Sequence, residues 1–151
     1  MKIPENKQFI LFGGIFVLAN KLQAVADKTV QGLSTKQWFL LRSLSDMPME
    51  QPPTITLLAK TTDTSRQNTS KMLEVLQRQG YVDLQYNELD HRSQSVVLTD
   101  KGTQILRQMA QNSVPFFTEL FSNLTTQECE VAAEVVVKLI KKLNQTQEDM
   151  K

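Results

Sequence analysis

Residues 54–102 read TITLLAKTTDTSRQNTSKMLEVLQRQGYVDLQYNELDHRSQSVVLTDKG, and the order of polar and apolar positions in this stretch decides the fold. A short helix is expected around 56–61, then a break at Thr62-Asp63-Thr64, then a longer helix over 65–79 stopped by Gly80. Tyr81-Val82-Asp83-Leu84-Gln85-Tyr86 alternates as a strand does, and Ser95-Val96-Val97-Leu98 is a second β-rich run. The polar segment 87–93 between them suits a hairpin tip. Helix, turn, longer helix, glycine, strand, tip, strand is the order of a winged helix-turn-helix, whose second helix enters the DNA major groove.

On the longer helix Thr69, Met72, Leu73 and Leu76 form one stripe, which at 100° per residue sends Gln67 and Lys71 to the opposite side, with Asn68 and Ser70 flanking them. Its first half, Ser65-Arg66-Gln67-Asn68-Thr69-Ser70-Lys71, is wholly polar. Asn and Gln can pair two hydrogen bonds with adenine and Arg with guanine. Ser65 as N-cap, with the free amides behind it, offers a place for a phosphate oxygen. A solvated polar helix start has the same composition, so the flanking hairpin decides the reading. At its tip Arg92 is a long cation able to enter the minor groove, with Asp90 placed to support it. The competing reading is an exposed turn with a weak ion pair. His91 reads as a turn residue rather than a metal ligand.

The flanking segments are strongly apolar. Phe9, Phe12, Ile15, Phe16, Ala19, Leu22 and Ala26 recur at helical spacing, and Ile10, Leu11, Val17 and Leu18 fill the other faces. Such a helix wants burial on more than one side. Ser34 with Gln37 makes a capping box for the next helix, Leu33 is placed to staple onto Trp38, and the apolar face is Trp38, Leu41 and Leu44. Pro48, Pro52 and Pro53 mark a loop over 46–53. Thr99-Asp100-Lys101-Gly102 opens a long helix to about Leu120, with Ile105, Leu106, Met109 and Phe116 inward and Pro115 expected to kink it. A last helix starts at Thr125, answered by Glu128, and carries the stripe Ala132, Val135, Val136, Leu139, Ile140 and Leu143. These flanks hold more apolar surface than a small winged-helix core can cover, and a homodimer interface explains the excess.

The expected fold class is therefore mainly α with a small β-hairpin wing (α+β). Residues 1–32 and 103–151 supply dimerisation helices around a winged helix-turn-helix DNA-binding domain over 33–102.

Composition excludes more than it identifies. The 151 residues are 40% hydrophobic and 22% charged with a net charge of +1, which indicates neither disorder nor a basic tail. Residues 60–107 hold seven basic and six acidic groups. Cys129 is the single cysteine. It can form neither an internal disulfide nor a thiolate cage, which points to a reduced cytoplasmic setting, and it reads as a small buried side chain or a reactive thiol. Lys2 and Lys7 ahead of the apolar run 9–19, followed by Ala24-Val25-Ala26, imitate a secretion signal. Asn20 and Lys21 interrupt it, and the run itself is short for a membrane span.

Residues 33–102 resemble the MarR family of bacterial transcription regulators. The likeness is carried by Leu33-Ser34 with Gln37, Leu58-Ala59, Ser65-Arg66, Leu76 with Gly80-Tyr81-Val82, Asp90 with Arg92, and Val97-Leu98-Thr99-Asp100-Lys101-Gly102. It implies a triangular homodimer joined through N- and C-terminal helices, two recognition helices on a palindromic site, and a small-molecule pocket between dimer face and winged helix. Thr62, Thr64 and Thr69 stand where the family usually has aliphatic residues, which implies a slightly more polar core. Redox-sensing members keep a cysteine in the first helix, which this chain lacks, and one histidine speaks against zinc sensing.

The leading expectation is a ligand-responsive repressor or activator that binds double-stranded DNA through Ser65, Arg66, Gln67, Asn68, Ser70, Lys71 and Arg92. Phe12, Phe16, Trp38 and Met109 would suit a hydrophobic or phenolic effector, or would simply be core. The near-neutral charge of 60–107 keeps a protein-binding winged helix as the alternative. No nucleophile with a base, paired carboxylates or phosphate-cradling glycine loop occurs at useful spacing, so neither an enzyme nor a cofactor is expected.

Overall fold

The computed structural model describes residues 6–29, 32–48, 50–86 and 94–150. The elements run α1 (Lys7–Thr29), α2 (Thr35–Ser45), α3 (Ile55–Thr61), α4 (Arg66–Arg78), β1 (Val82–Tyr86), β2 (Gln94–Leu98), α5 (Asp100–Leu120) and α6 (Thr126–Asp149). The chain falls into two compact units, Met1–Asn112 and Ser113–Lys151, and α5 runs from the first into the second.

In the first unit the core gathers Leu33, Leu40, Leu41 and Leu44 with Ile55, Leu58, Leu73, Leu76, Val82, Val96, Leu106 and Met109. The capping box of α2 forms as expected: Ser34 Oγ accepts the Gln37 N–H at 3.2 Å and Gln37 Oε1 accepts the Ser34 N–H at 2.9 Å. Trp38 is only half-buried, packed against a core that Leu40 enters more deeply. From the end of α1, Asp27 Oδ1 accepts both the hydroxyl and the N–H of Thr35, the latter at 2.7 Å. The hydroxyl bond first, then the amide bond, hold this carboxyl below its ordinary value.

The helix-turn-helix is closed by two matching backbone devices. At the end of α3, Thr64 N–H donates to Ala59 O at 2.9 Å and Asp63 N–H to Lys60 O at 3.3 Å, with Asp63 at φ 49°. At the end of α4, Tyr81 N–H donates to Leu76 O and Gly80 N–H to Gln77 O, both at 2.9 Å, with Gly80 at φ 79°. Each is a Schellman stop, which satisfies carbonyls left over at the helix end. The three unexpected threonines bring their own acceptors. Thr62 Oγ1 donates to Leu58 O at 2.9 Å, Thr64 Oγ1 to Thr62 O at 3.1 Å, and Thr69 Oγ1 to Ser65 O at 3.1 Å. Thr69 is fully buried, and this bond removes the cost of an orphaned hydroxyl there.

β1 and β2 pair antiparallel with Val82 opposite Leu98 and Tyr86 opposite Gln94. A third, one-residue pairing was not legible in the sequence: Thr54 bridges Ser95, and Val96 N–H donates to Pro53 O at 2.9 Å. Thr54 is also the N-cap of α3, which consequently starts one residue earlier than expected.

α1 is longer than its apolar run suggests. Within its 23 residues, Lys7–Lys28 is long and apolar enough to cross a membrane by length and composition alone, whereas the run 9–19 read by itself is too short. Phe9, Phe12, Phe16 and Val17 are each more than half exposed. In the second unit, Thr125 caps α6 with Glu128 answering, Thr125 N–H donating to Glu128 Oε2 at 2.8 Å. Val131, Val136, Val137, Leu139, Ile140 and Leu143 are all exposed on α6. Pro115 lies inside α5, whose helical span is unbroken from Asp100 to Leu120. Cys129 is a free, half-buried thiol.

Candidate nucleic-acid interface

The candidate reading surface lies on α4. Thr69, Leu73 and Leu76 are fully buried on one side, with Met72 half-buried beside them. Arg66, Gln67, Asn68 and Lys71 are exposed, and Ser70 is half-buried at the margin. The core thus fixes the helix by its rear stripe and leaves its first two turns projecting outward. Ser65 caps this end, its Oγ accepting the Asn68 N–H at 3.2 Å.

The electrostatics favour an anion. No acidic residue lies in the first turn of α4, so the positive end of the helix dipole and the Arg66 cation act together. Among the described residues neither Arg66 nor Lys71 has an ion-pair partner; the ion pairs found are Arg42–Asp46 and Lys138–Glu134. Asp90, His91 and Arg92 lie outside the described residues.

The four side chains expected to line an effector pocket are placed differently from one another. Phe12 and Phe16 are exposed on α1 with ring centroids 5.1 Å apart, Trp38 is half-buried, and Met109 belongs to the core. A cavity of about 190 Å³ lies elsewhere, walled by Leu44, Met47, Pro48, Pro53, Val96 and Thr103 among others. The proline cluster over 48–53 was its signal in the sequence, read there only as a loop. Among the described residues no group of three His, Cys, Asp or Glu side chains could hold a metal ion.

Residues 31–93 match the model of the MarR family. Over that stretch the chain is similar to the MarR family. Its relatives include a transcriptional activatory protein, BadR, from Rhodopseudomonas palustris, 26% identical over 133 residues that cover 86% of this chain and 76% of that protein. Among solved structures, a MarR protein from Peptoclostridium difficile superposes with a TM-score of 0.84 at 19% identity, covering 100% of this chain and 97% of that one. A MarR family regulator from Streptomyces coelicolor, solved in complex with DNA, gives 0.81 at 24% identity, covering 93% of each chain. MarR proteins are DNA-binding transcription regulators, and a protein-binding role for this winged helix finds no support. The helix order of the chain is that of these winged-helix structures.

Proposed function

We propose that this chain works in the cytoplasm as a homodimer whose two α4 helices read the half-sites of a palindromic operator. Residues 1–32 and 103–151 would join the subunits, and 33–102 would carry the reading head. One observation carries the assignment of the reading residues: Gln67 and Lys71 are exposed on the side of α4 opposite its buried Thr69, Leu73 and Leu76, and Arg66 and Asn68 are exposed on its flanks. Gln67, Asn68 and Ser70 are assigned to base edges, Arg66 and Lys71 to phosphate or guanine, Ser65 to a phosphate oxygen, and Arg92 with Asp90 to the minor groove. The relative in complex with DNA and the activatory relative support this reading. A hydrophobic or phenolic effector is proposed to modulate binding, with Phe12, Phe16, Trp38 and Met109 the first side chains to vary.

The test uses duplexes selected by the protein from a random pool. Lys71→Ala should weaken all duplexes alike and lower the salt slope by about one unit. Gln67→Ala should relax preference at one base pair, by about 1 to 3 kcal/mol. If neither variant differs from the parent, α4 is not the reading element.

A further inference from the structure

Three consecutive carbonyls at the exit of α4 each receive a donor from the first residues around α5. Lys101 Nζ donates to Gln79 O at 2.7 Å, Thr99 Oγ1 to Gly80 O at 2.7 Å, and Thr99 N–H to Tyr81 O at 3.1 Å. Thr99 Oγ1 also accepts the Gly102 N–H at 3.0 Å, so one hydroxyl caps α5 and holds α4 at once. Lys101 Nζ sits 5.1 Å from the centroid of the Tyr81 ring, and Gly102 leaves no room for a Cβ against the Tyr81 carbonyl. A cation at the C-terminal end of α4 is favoured by the helix dipole as well as by the ring face.

We propose that Lys101 and Thr99 are positioning residues for DNA reading, which pin the C-terminal end of α4 to the start of α5 and so set the angle of the recognition helix. The inference rests on the DNA-reading role of α4 argued above. Its force comes from leverage. The 13 residues of α4 span about 20 Å, so a tilt of about 10° at the pinned end moves the Arg66 end by about 3 Å. That displacement exceeds what a bidentate base contact tolerates. The Lys101 cation is engaged with protein groups and is accordingly not assigned to a phosphate. Since α5 continues beyond Asn112, the same pin ties the reading angle to the helix that leads into the second unit.

The test compares Lys101→Met, which keeps the stem and removes the donor, with Lys101→Arg and Thr99→Val in the full chain. Binding is measured to a duplex selected by the parent protein and to a scrambled duplex of equal composition, across a salt series. Lys101→Met and Thr99→Val should each lose about tenfold on the selected duplex, the scale of one charge-assisted hydrogen bond for Lys101 and of the two neutral bonds of the Thr99 hydroxyl. Binding to the scrambled duplex should hold within about twofold, the salt slope should not change, and Lys101→Arg should retain most of the selectivity. Equal loss on both duplexes with a slope lower by about one unit would make Lys101 a phosphate contact and overturn the proposal. Equal loss with an unchanged slope and a lower Tm would reduce the pin to plain stability, and no loss at all would also overturn it. If the parent selects no duplex, the DNA reading fails instead. Amide hydrogen exchange at 76–81 then decides on the pin: faster exchange in Lys101→Met supports it, and unchanged exchange refutes it.

Discussion

Thr64 donates its N–H to the carbonyl of Ala59 at 2.9 Å, closing α3 across Asp63, whose φ of 49° lies in the left-handed region. The turn between α3 and α4 thus depends on one residue in a conformation that L-amino acids adopt at a cost of about 1 to 2 kcal/mol. Asp is one of the few side chains that visit it readily.

Asp63→Gly should therefore be neutral or stabilise by up to about 1 kcal/mol, and Asp63→Val should destabilise by about 1 to 2 kcal/mol or more. Urea unfolding followed by circular dichroism measures both. Equal midpoints for the two variants would show that the turn does not depend on this φ.

Gly102 and Gly13 make an opposed pair. A Cβ on Gly102 would run into the Tyr81 carbonyl oxygen and lie 2.7 Å from Leu98 Cδ1, whereas one on Gly13 meets nothing within 4 Å. Gly102→Ala should destabilise by about 1 to 3 kcal/mol, the usual cost of overpacking. Gly13→Ala in mid-helix should gain about 0.5 to 1 kcal/mol within one chain. A loss at Gly13 in thermal unfolding would mean that a second subunit packs closely against this part of α1.

Local chemistry made much of this legible in the sequence. The starts of α2, α4 and α6 follow from Ser34 with Gln37, Ser65, and Thr125 with Glu128, because a cap is a contact between residues three apart. The rear stripe of α4 followed from spacing alone. What escaped needed the third dimension. Leu40 is buried because the core meets two sides of α2, while a one-face reading chose Trp38, which is only half-buried. The Thr54–Ser95 bridge is a single pairing with no period to detect. Phe12 and Phe16 were grouped with Trp38 and Met109 by apolar character alone, and within this chain they are exposed while Met109 is core.

Acid should loosen the link between α1 and α2. The Asp27 carboxyl is lowered by the Thr35 hydroxyl and amide, and Glu128 is lowered by the amide and hydroxyl of Thr125. A carboxylate depressed in the folded state stabilises it fully above the unfolded value of about 4, and that stability is lost as pH falls through the folded value. Tm should thus be insensitive to these groups between about pH 7 and 5 and should drop below about pH 4, with a smaller drop in Asp27→Asn. An identical acid limb in parent and Asp27→Asn would remove Asp27 from the account.

The exposed apolar helices make the strongest demand on a partner. Phe16 on α1 and Ile140 on α6 are 60% and 52% exposed, inside faces of similar side chains far more extensive than a monomer usually presents to water. A glutamate at either position would place a charge in the proposed subunit interface, where desolvation disfavours it. Phe16→Glu and Ile140→Glu should shift the protein from dimer to monomer in sedimentation velocity. Each should also reduce affinity for a full palindrome toward that for a single half-site, because two linked heads gain about 10²- to 10⁴-fold over one. Half-site affinity itself should hold, since α4 keeps its rear stripe of Thr69, Leu73 and Leu76 in both variants. A protein that stays dimeric in both variants would place the subunit contact elsewhere on the chain, and monomers with undiminished full-site affinity would show that α4 reads its half-sites independently.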